Sequence, residues 1–292
     1  MTRKRLALAA GSAALAVALA APAAQATPTF HGLDKRGNLL KIERVKQTTK
    51  KRNGKRVVKR FYAATKKVRL QFTPAGAEKL VGIDERPING ELYGVGNNSV
   101  VYRINPRTGV ATGVAGPATA PFATTLEGSL FGVDFNPTSP GGGAIRIVSD
   151  ANFNTRVSPD TGAAGMMTPD GDLNGATEPP KIVHAAYDTS ALSTTQPTAV
   201  EEYVLDSAND RIYVVNPPNA GTLTEPRDVS FNVTDEGGFD IFRDGLGYVS
   251  TRTGNRSRLY SLNTETGRGR NLGVIKRTST LRALAVQQER DR

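Results

Sequence analysis

Val81-Gly82-Ile83-Asp84 recurs as Phe131-Gly132-Val133-Asp134, with weaker copies at Ala185-Ala186-Tyr187-Asp188 and Gly238-Phe239-Asp240. The four aspartates are spaced by 50, 54 and 52 residues. Downstream of each copy lies a turn sequence: Asn105-Pro106-Arg107-Thr108-Gly109, Ser158-Pro159-Asp160-Thr161-Gly162, Asn216-Pro217-Pro218-Asn219 and Asn263-Thr264-Glu265-Thr266-Gly267. Proline presets φ in such turns and glycine takes the positive φ. Each turn follows a short alternating strand: Val101 to Ile104, Arg156-Val157, Ile212 to Val215 and Leu259 to Leu262. No long segment carries the 3.6-residue apolar period of a helix, so the chain reads as all-β.

A self-similar period near fifty residues, holding about four strands, is what a propeller blade requires. The chain ends set the number of blades. Leu281 to Val286 starts a strand with too little chain left for a blade, while Phe30 to Asp34 and Asn38 to Glu43 match second and third strands that lack a first. The reading is therefore a five-bladed β-propeller in which the C-terminal strand supplies the innermost strand of the N-terminal blade, removing an exposed sheet edge. The domain runs over residues 27–286, with a polar tail at 287–292 and an inserted basic hairpin at 44–65. The outer strand of the first blade is expected at about Lys67 to Phe72.

Composition narrows the chemistry. The chain of 292 residues has no Cys and two His, His31 and His184. Disulfides, zinc–thiolate sites, iron–sulfur clusters and cysteine nucleophiles are excluded, and a histidine relay has little to draw on. Both histidines read as packing residues. Gly141-Gly142-Gly143 has no helix and no Lys-Ser/Thr after it, so it is not a phosphate loop.

Residues 1–26 read as a secretory signal peptide. Arg3-Lys4-Arg5 precedes an apolar run from Leu6 to Ala21 and the small-x-small site Ala24-Gln25-Ala26. The expected location after cleavage is secreted or cell-surface. No second apolar run reaches about 20 residues, so no transmembrane span is expected.

The formal charge of +11 is a local feature. Between Lys41 and Arg69 there are 13 Lys/Arg and one acid, Glu43; outside that stretch and the leader, 22 basic residues face 26 acidic ones. Asn53-Gly54 between two strand-like runs signals a hairpin with a type I′ turn. Lys50, Lys51, Arg52, Lys55, Arg56, Lys59 and Arg60 are its anion-binding candidates. The partners of such an arm are anionic cell-wall polymer, lipid headgroups or extracellular nucleic acid, bound without sequence preference. The alternative is an edge ribbon kept soluble by its charges.

Asp84, Asp134, Asp188 and Asp240 are axial candidates, because innermost strands line a propeller's axis; Ala285 takes the matching place on the closing strand. Converging carboxylates at Asp84, Asp134 and Asp240 could hold Ca²⁺, the one cofactor the pattern allows, or form an acid/base pair. The other reading is that each Asp caps the turn leaving its own strand. A further polar cluster, Asp150, Asn154 and Arg156, interrupts the second full repeat. There Arg156 either clamps an anion or pairs with Asp150 across the hairpin.

The run from Leu80 to Thr112, with Gly90-Glu91-Leu92-Tyr93-Gly94-Val95-Gly96 and Tyr102-Arg103-Ile104-Asn105-Pro106, resembles a family of exported bacterial proteins. So does the run from Phe131 to Gly162, with Ile145-Arg146-Ile147-Val148-Ser149-Asp150. That family is known as the domain of unknown function numbered 4394. The resemblance implies a propeller-like fold and an extracellular life, with no established activity. This chain departs from it in the basic insertion and in a broken third repeat between Thr189 and Glu201.

The leading function is a monomeric, non-enzymatic binding module with a basic arm for anionic polymers. The alternative is a glycosidase-like hydrolase using axial carboxylates. Zero Trp and few aromatics weigh against it, since sugar sites need stacking platforms.

Overall fold

The computed structural model describes residues 27–50, 56–73, 79–114, 125–139, 143–160, 170–188, 199–242 and 245–287. The leader, Lys51 to Lys55, residues 189–198 at the break in the third repeat and the last five residues are among those that lie outside them.

The chain forms five sheets in succession. The first blade contains β1 (Thr29–Asp34), β2 (Asn38–Lys50) and β3 (Arg56–Arg69), followed by a short β4 (Gln71–Thr73). The second holds β5 (Leu80–Glu85), β6 (Leu92–Gly96), β7 (Val101–Ile104) and β8 (Val110–Val114). The third holds β9 (Phe131–Asn136), β10 (Ala144–Ser149) and β11 (Asn154–Val157). The fourth holds β12 (Ile182–Tyr187), β13 (Glu202–Asp206), β14 (Arg211–Val215) and β15 (Leu223–Asp228). The fifth holds β16 (Gly237–Ile241), β17 (Leu246–Thr253), β18 (Arg256–Asn263) and β19 (Gly269–Val274), and β20 (Leu281–Gln287) ends the chain.

β20 pairs antiparallel with β1, from Thr29 opposite Gln287 to Leu33 opposite Ala283. The last strand thus completes the first blade as its innermost strand. β20, β5, β9, β12 and β16 pack one against the next in a ring. Apolar burial has the same five-fold order. A separate cluster fills each of the five junctions between neighbouring blades, including the one between the fifth and the first, where Phe30, Ile42 and Leu284 meet Tyr248 and Leu259. A four-stranded sheet has two faces to cover, and a closed wheel covers every one of them.

The predicted turns form as their residues dictate. Asn105 Oδ1 accepts the backbone N–H groups of Arg107 and Thr108 at 2.9 and 3.2 Å, and Gly109 takes φ 83°. Asn263 and Gly267 repeat the arrangement in the fifth blade, where Asn263 Oδ1 accepts Thr266 N–H at 2.8 Å.

Two boundaries differ from expectation. The outer strand of the first blade is the base of β3, ending at Arg69, whereas Phe72 lies in β4 and pairs parallel with β8 of the second blade. The reason is packing: Phe72 meets Tyr102 edge-on at 5.1 Å, and Leu70 is buried in the same junction. At the C-terminus, Gln287 belongs to β20 and pairs with Thr29 rather than to a polar tail.

Candidate functional site

Asp84, Asp134 and Asp240 converge near the axis. Each is buried, and one carboxylate oxygen from each lies within 4.8 Å of the others. Their hydrogen bonds explain the repeat. Asp84 Oδ2 accepts the N–H of Phe135 at 2.9 Å, Asp134 Oδ2 accepts that of Tyr187 at 2.8 Å, and Asp240 Oδ2 accepts that of Val286. Each carboxylate therefore reaches the next inner strand and serves the amide one residue beyond that strand's equivalent position. By this rule the equivalent positions in the fourth blade and the closing strand are Ala186 and Ala285. Where alanine leaves the next amide unserved, the next aspartate serves its own: Ile241 N–H donates to Asp240 Oδ1 at 2.6 Å and Glu85 N–H to Asp84 Oδ1 at 2.7 Å. Three carboxylates thus satisfy five amides at one level of the ring, where the inner strands have no backbone partner on that side.

Two sequence expectations change. Asp188 is not axial; it is half-buried beyond the end of β12, where it accepts the N–H of Glu201 at 2.7 Å. Nor do the axial aspartates simply cap the turns leaving their own strands, since each also reaches the neighbouring blade. The glycine two residues before each of the three has the complementary task. A Cβ at Gly132 would lie 2.4 Å from the nitrogen of Ala185, and one at Gly238 would lie 2.2 Å from that of Leu284. Gly-x-Asp therefore reads as one device: glycine admits the neighbouring inner strand, and aspartate binds it.

Burial pushes the Asp84 carboxyl up to about 7, against the lowering effect of its two amide donors. Burial, and then the charge of Asp84, push Asp134 and Asp240 well above the usual carboxylate range. Beside them, His31 Nε2 contacts Glu85 Oε1 at 3.1 Å, so His31 has an acidic partner and is more than packing. His184 Nε2–H donates to the carbonyl of Thr234, 3.3 Å away, and burial pushes the imidazole down to about 4. As a calcium site, the triad offers three side-chain oxygens, whereas Ca²⁺ takes about six to eight.

The second-repeat cluster is reorganised around a residue the sequence reading passed over, Arg146, which is fully buried. Its Nε lies 3.1 Å from Tyr187 Oη and 3.2 Å from Glu202 Oε2, and its Nη1 donates to Asn154 Oδ1 and Asp170 Oδ2 at 2.8 and 2.9 Å. Arg156 grips Asp170 with two bonds of 2.8 Å, so its partner is Asp170 and not Asp150. Asp150 instead accepts the N–H groups of Ser129 and Leu130. Two guanidinium groups and two carboxylates balance in charge and lock the third blade to the fourth. The sequence signal was available: Arg146 interrupts Ala144-Ile145-Ile147-Val148 in a strand buried on both faces, and a buried charge requires a partner.

β2 and β3 continue past the ring as a two-stranded ribbon in unbroken register from Ile42 opposite Ala64 to Lys50 opposite Arg56. Opposed residues share a face. One face carries Arg44, Lys46, Lys50, Arg56 and Arg60 with Thr48 and Val58; the other carries Val45, Gln47, Thr49, Val57, Lys59 and Phe61. All six cations are exposed, and none forms an ion pair among the described residues. Lys51, Arg52 and Lys55 fall outside those residues. Lys46 stands opposite Arg60 and Lys50 opposite Arg56, like charges that oppose pairing of the strands. The base of the ribbon is anchored, with Tyr62 and Ala64 buried between the first and fifth blades.

Comparison with known proteins yields one family, described as "Domain of unknown function (DUF4394)", matched over residues 58–285. No curated protein matches the chain. Among solved structures, "Structure of U3-55K" has a TM-score of 0.37 at 7% identity, covering 68% of this chain and 53% of that one. The "Crystal structure of TolB from Acinetobacter baumannii" has a TM-score of 0.40 at 14% identity, covering 90% of this chain and 67% of that one. No helix among the described residues is long and apolar enough to cross a membrane.

Proposed function

Since the chain belongs to this family of unknown function (DUF4394), we propose its role from geometry: a non-enzymatic binding module that holds anionic polymers on the cationic face of its β2–β3 ribbon. The observation that carries this reading is the pair of like-charge oppositions, Lys46 with Arg60 and Lys50 with Arg56, on a face without a carboxylate. An edge kept soluble by charge needs cations that point to water; it gains nothing from stacking them against each other. A linear polyanion laid along the face relieves that repulsion and releases its own counterions. The leader-like residues 1–26 support an extracellular setting, where wall polymers, lipid headgroups and free nucleic acid present such charge.

The hydrolase alternative needs carboxylates that a substrate can reach. Asp84, Asp134 and Asp240 are 7, 3 and 6% exposed, and the gap among the inner strands, lined by Gly82, Gly132 and Gly238, amounts to about 10 Å³. That is room for one water at most.

The test is binding of the mature chain to immobilised polyphosphate at low salt. The quadruple variant K46Q/K50Q/R56Q/R60Q is expected to bind at least ten-fold more weakly, while Lys59→Gln on the opposite face stays within about two-fold of wild type. Equal binding by wild type and the quadruple variant overturns the reading.

A further inference from the structure

A second, separate basic site lies at the opposite end of the wheel, between the first and second blades. A cavity of about 340 Å³ is lined by the turn after β1, the end of β3, the start of β5 and Arg282 of β20. That volume lies within the range of small-ligand pockets. Five cations face it, Lys35, Arg36, Arg69, Lys79 and Arg282, and none of them has an ion-pair partner among the described residues. The one acid in its wall, Asp34, is fully buried and turned inward; its Oδ1 accepts the N–H groups of Arg36 and Asn38, each at 2.9 Å. Two acids in the adjoining cleft are also engaged elsewhere, Asp235 with Lys181 at 2.6 Å and Glu236 with Arg252 at 3.4 Å. The nearest cation to Asp34 is Lys67, at 3.8 Å and outside the wall, so five cations against this one acid leave the pocket with a net positive charge.

The remaining wall is apolar: Leu33, Leu70, Phe72 and Leu80. Leu33, Leu70 and Leu80 are nearly buried, and Phe72 is held in place by Tyr102. Arg69 donates to the carbonyl of Arg36, which fixes one guanidinium at the rim. Three guanidinium groups beside an apolar floor match an anion with two parts. Guanidinium groups grip a tetrahedral oxyanion with paired bonds, and the floor takes an apolar body.

We propose that this cavity is a binding site for a small organic phosphate, with the phosphate among Arg36, Arg69 and Arg282 and its apolar body on Leu70, Phe72 and Leu80. It is independent of the ribbon, which leaves the wheel at the other end.

Calorimetric titration of the full mature chain with phenyl phosphate tests the site, with inorganic phosphate and phenol as its two halves. Phenyl phosphate is expected to bind at least ten-fold more tightly than either half. K79Q/R282Q, which changes two side chains that reach solvent, is expected to weaken it at least ten-fold, and Arg36→Gln on the exposed turn at least three-fold. The ribbon variant K46Q/K50Q/R56Q/R60Q is expected to bind it as wild type does, which separates failure here from failure of the polymer-binding role. Inorganic phosphate binding as tightly as phenyl phosphate overturns the proposal. So does unchanged affinity in both K79Q/R282Q and Arg36→Gln.

Discussion

Oδ2 of Asp84, on the inner strand of one blade, accepts the backbone N–H of Phe135, on the inner strand of the next, at 2.9 Å. The contact explains why the chain repeats its aspartates and why they are sealed from solvent. They are structural acceptors between blades, and burial, with the charge of Asp84 acting on the other two, raises their carboxyls above the usual range.

That account separates two substitutions at one site. Asp134→Ala leaves the Tyr187 amide without its acceptor, which costs about 1–3 kcal/mol and lowers Tm near pH 4, where the variant gains nothing from losing a charge. Asp134→Asn keeps an oxygen for Tyr187 and places a donor toward Asp84. Its Tm should match wild type near pH 4 and exceed it at pH 8. Calorimetric melts of the two variants at both pH values check this.

The pH dependence has two limbs of opposite sign. Asp84 is raised from 3.8 to about 7, so the stability it contributes is full below about pH 4 and is lost as the pH rises through 7. His184 is lowered from 6.5 to about 4, so its contribution is present above about pH 6.5 and is lost as the pH falls toward 4. His184→Gln should flatten the acid limb of a Tm–pH curve and leave the alkaline limb in place.

The buried ion network should tolerate no single deletion. Arg146→Met strands Asp170 and Glu202 beside one remaining guanidinium, and removing one partner of a buried pair costs roughly 3–5 kcal/mol. Denaturant melts that show a loss under about 1 kcal/mol would contradict the assignment.

Closure can be tested at Phe30, which is fully buried, sits opposite Val286 and meets Tyr62 and Tyr248 edge-on at 5.6 and 5.2 Å. Phe30→Ala is expected to cost about 3–5 kcal/mol. Hydrogen exchange should show β20 and β1 losing protection together, ahead of the blade furthest from the seam.

Much of this was legible in the residues. The spacing of the repeated aspartates gave the length of one blade, and the missing first strand at the N-terminus gave both the number of blades and the place of the last strand. Asp188 misled because it lies two residues from Ala186, and aligning on the aspartate hid the fact that the fourth blade lacks one. The alternation that placed five ribbon cations on one face was present in Arg44, Lys46 and Lys50, but charge counting alone does not reveal a face. Arg146 was hidden by its apolar neighbours, and its partners Asp170 and Glu202 are brought to it only by the packing of two blades. The proposed phosphate pocket draws on Arg36, Arg69 and Arg282, which are so far apart in sequence that only the closed wheel brings them together.

The central functional claim is that the cationic face of the ribbon neutralises a polyanion by displacing its counterions. Fluorescence anisotropy of a labelled oligodeoxythymidine against NaCl concentration tests it most directly, because the slope of log K against log salt counts neutralised phosphates at about 0.7 each. Lys46 and Lys50 share the binding face, so K46Q/K50Q should be shallower than wild type by about 1.4, while Lys59→Gln keeps the wild-type slope. Parallel lines for wild type and K46Q/K50Q would contradict the claim.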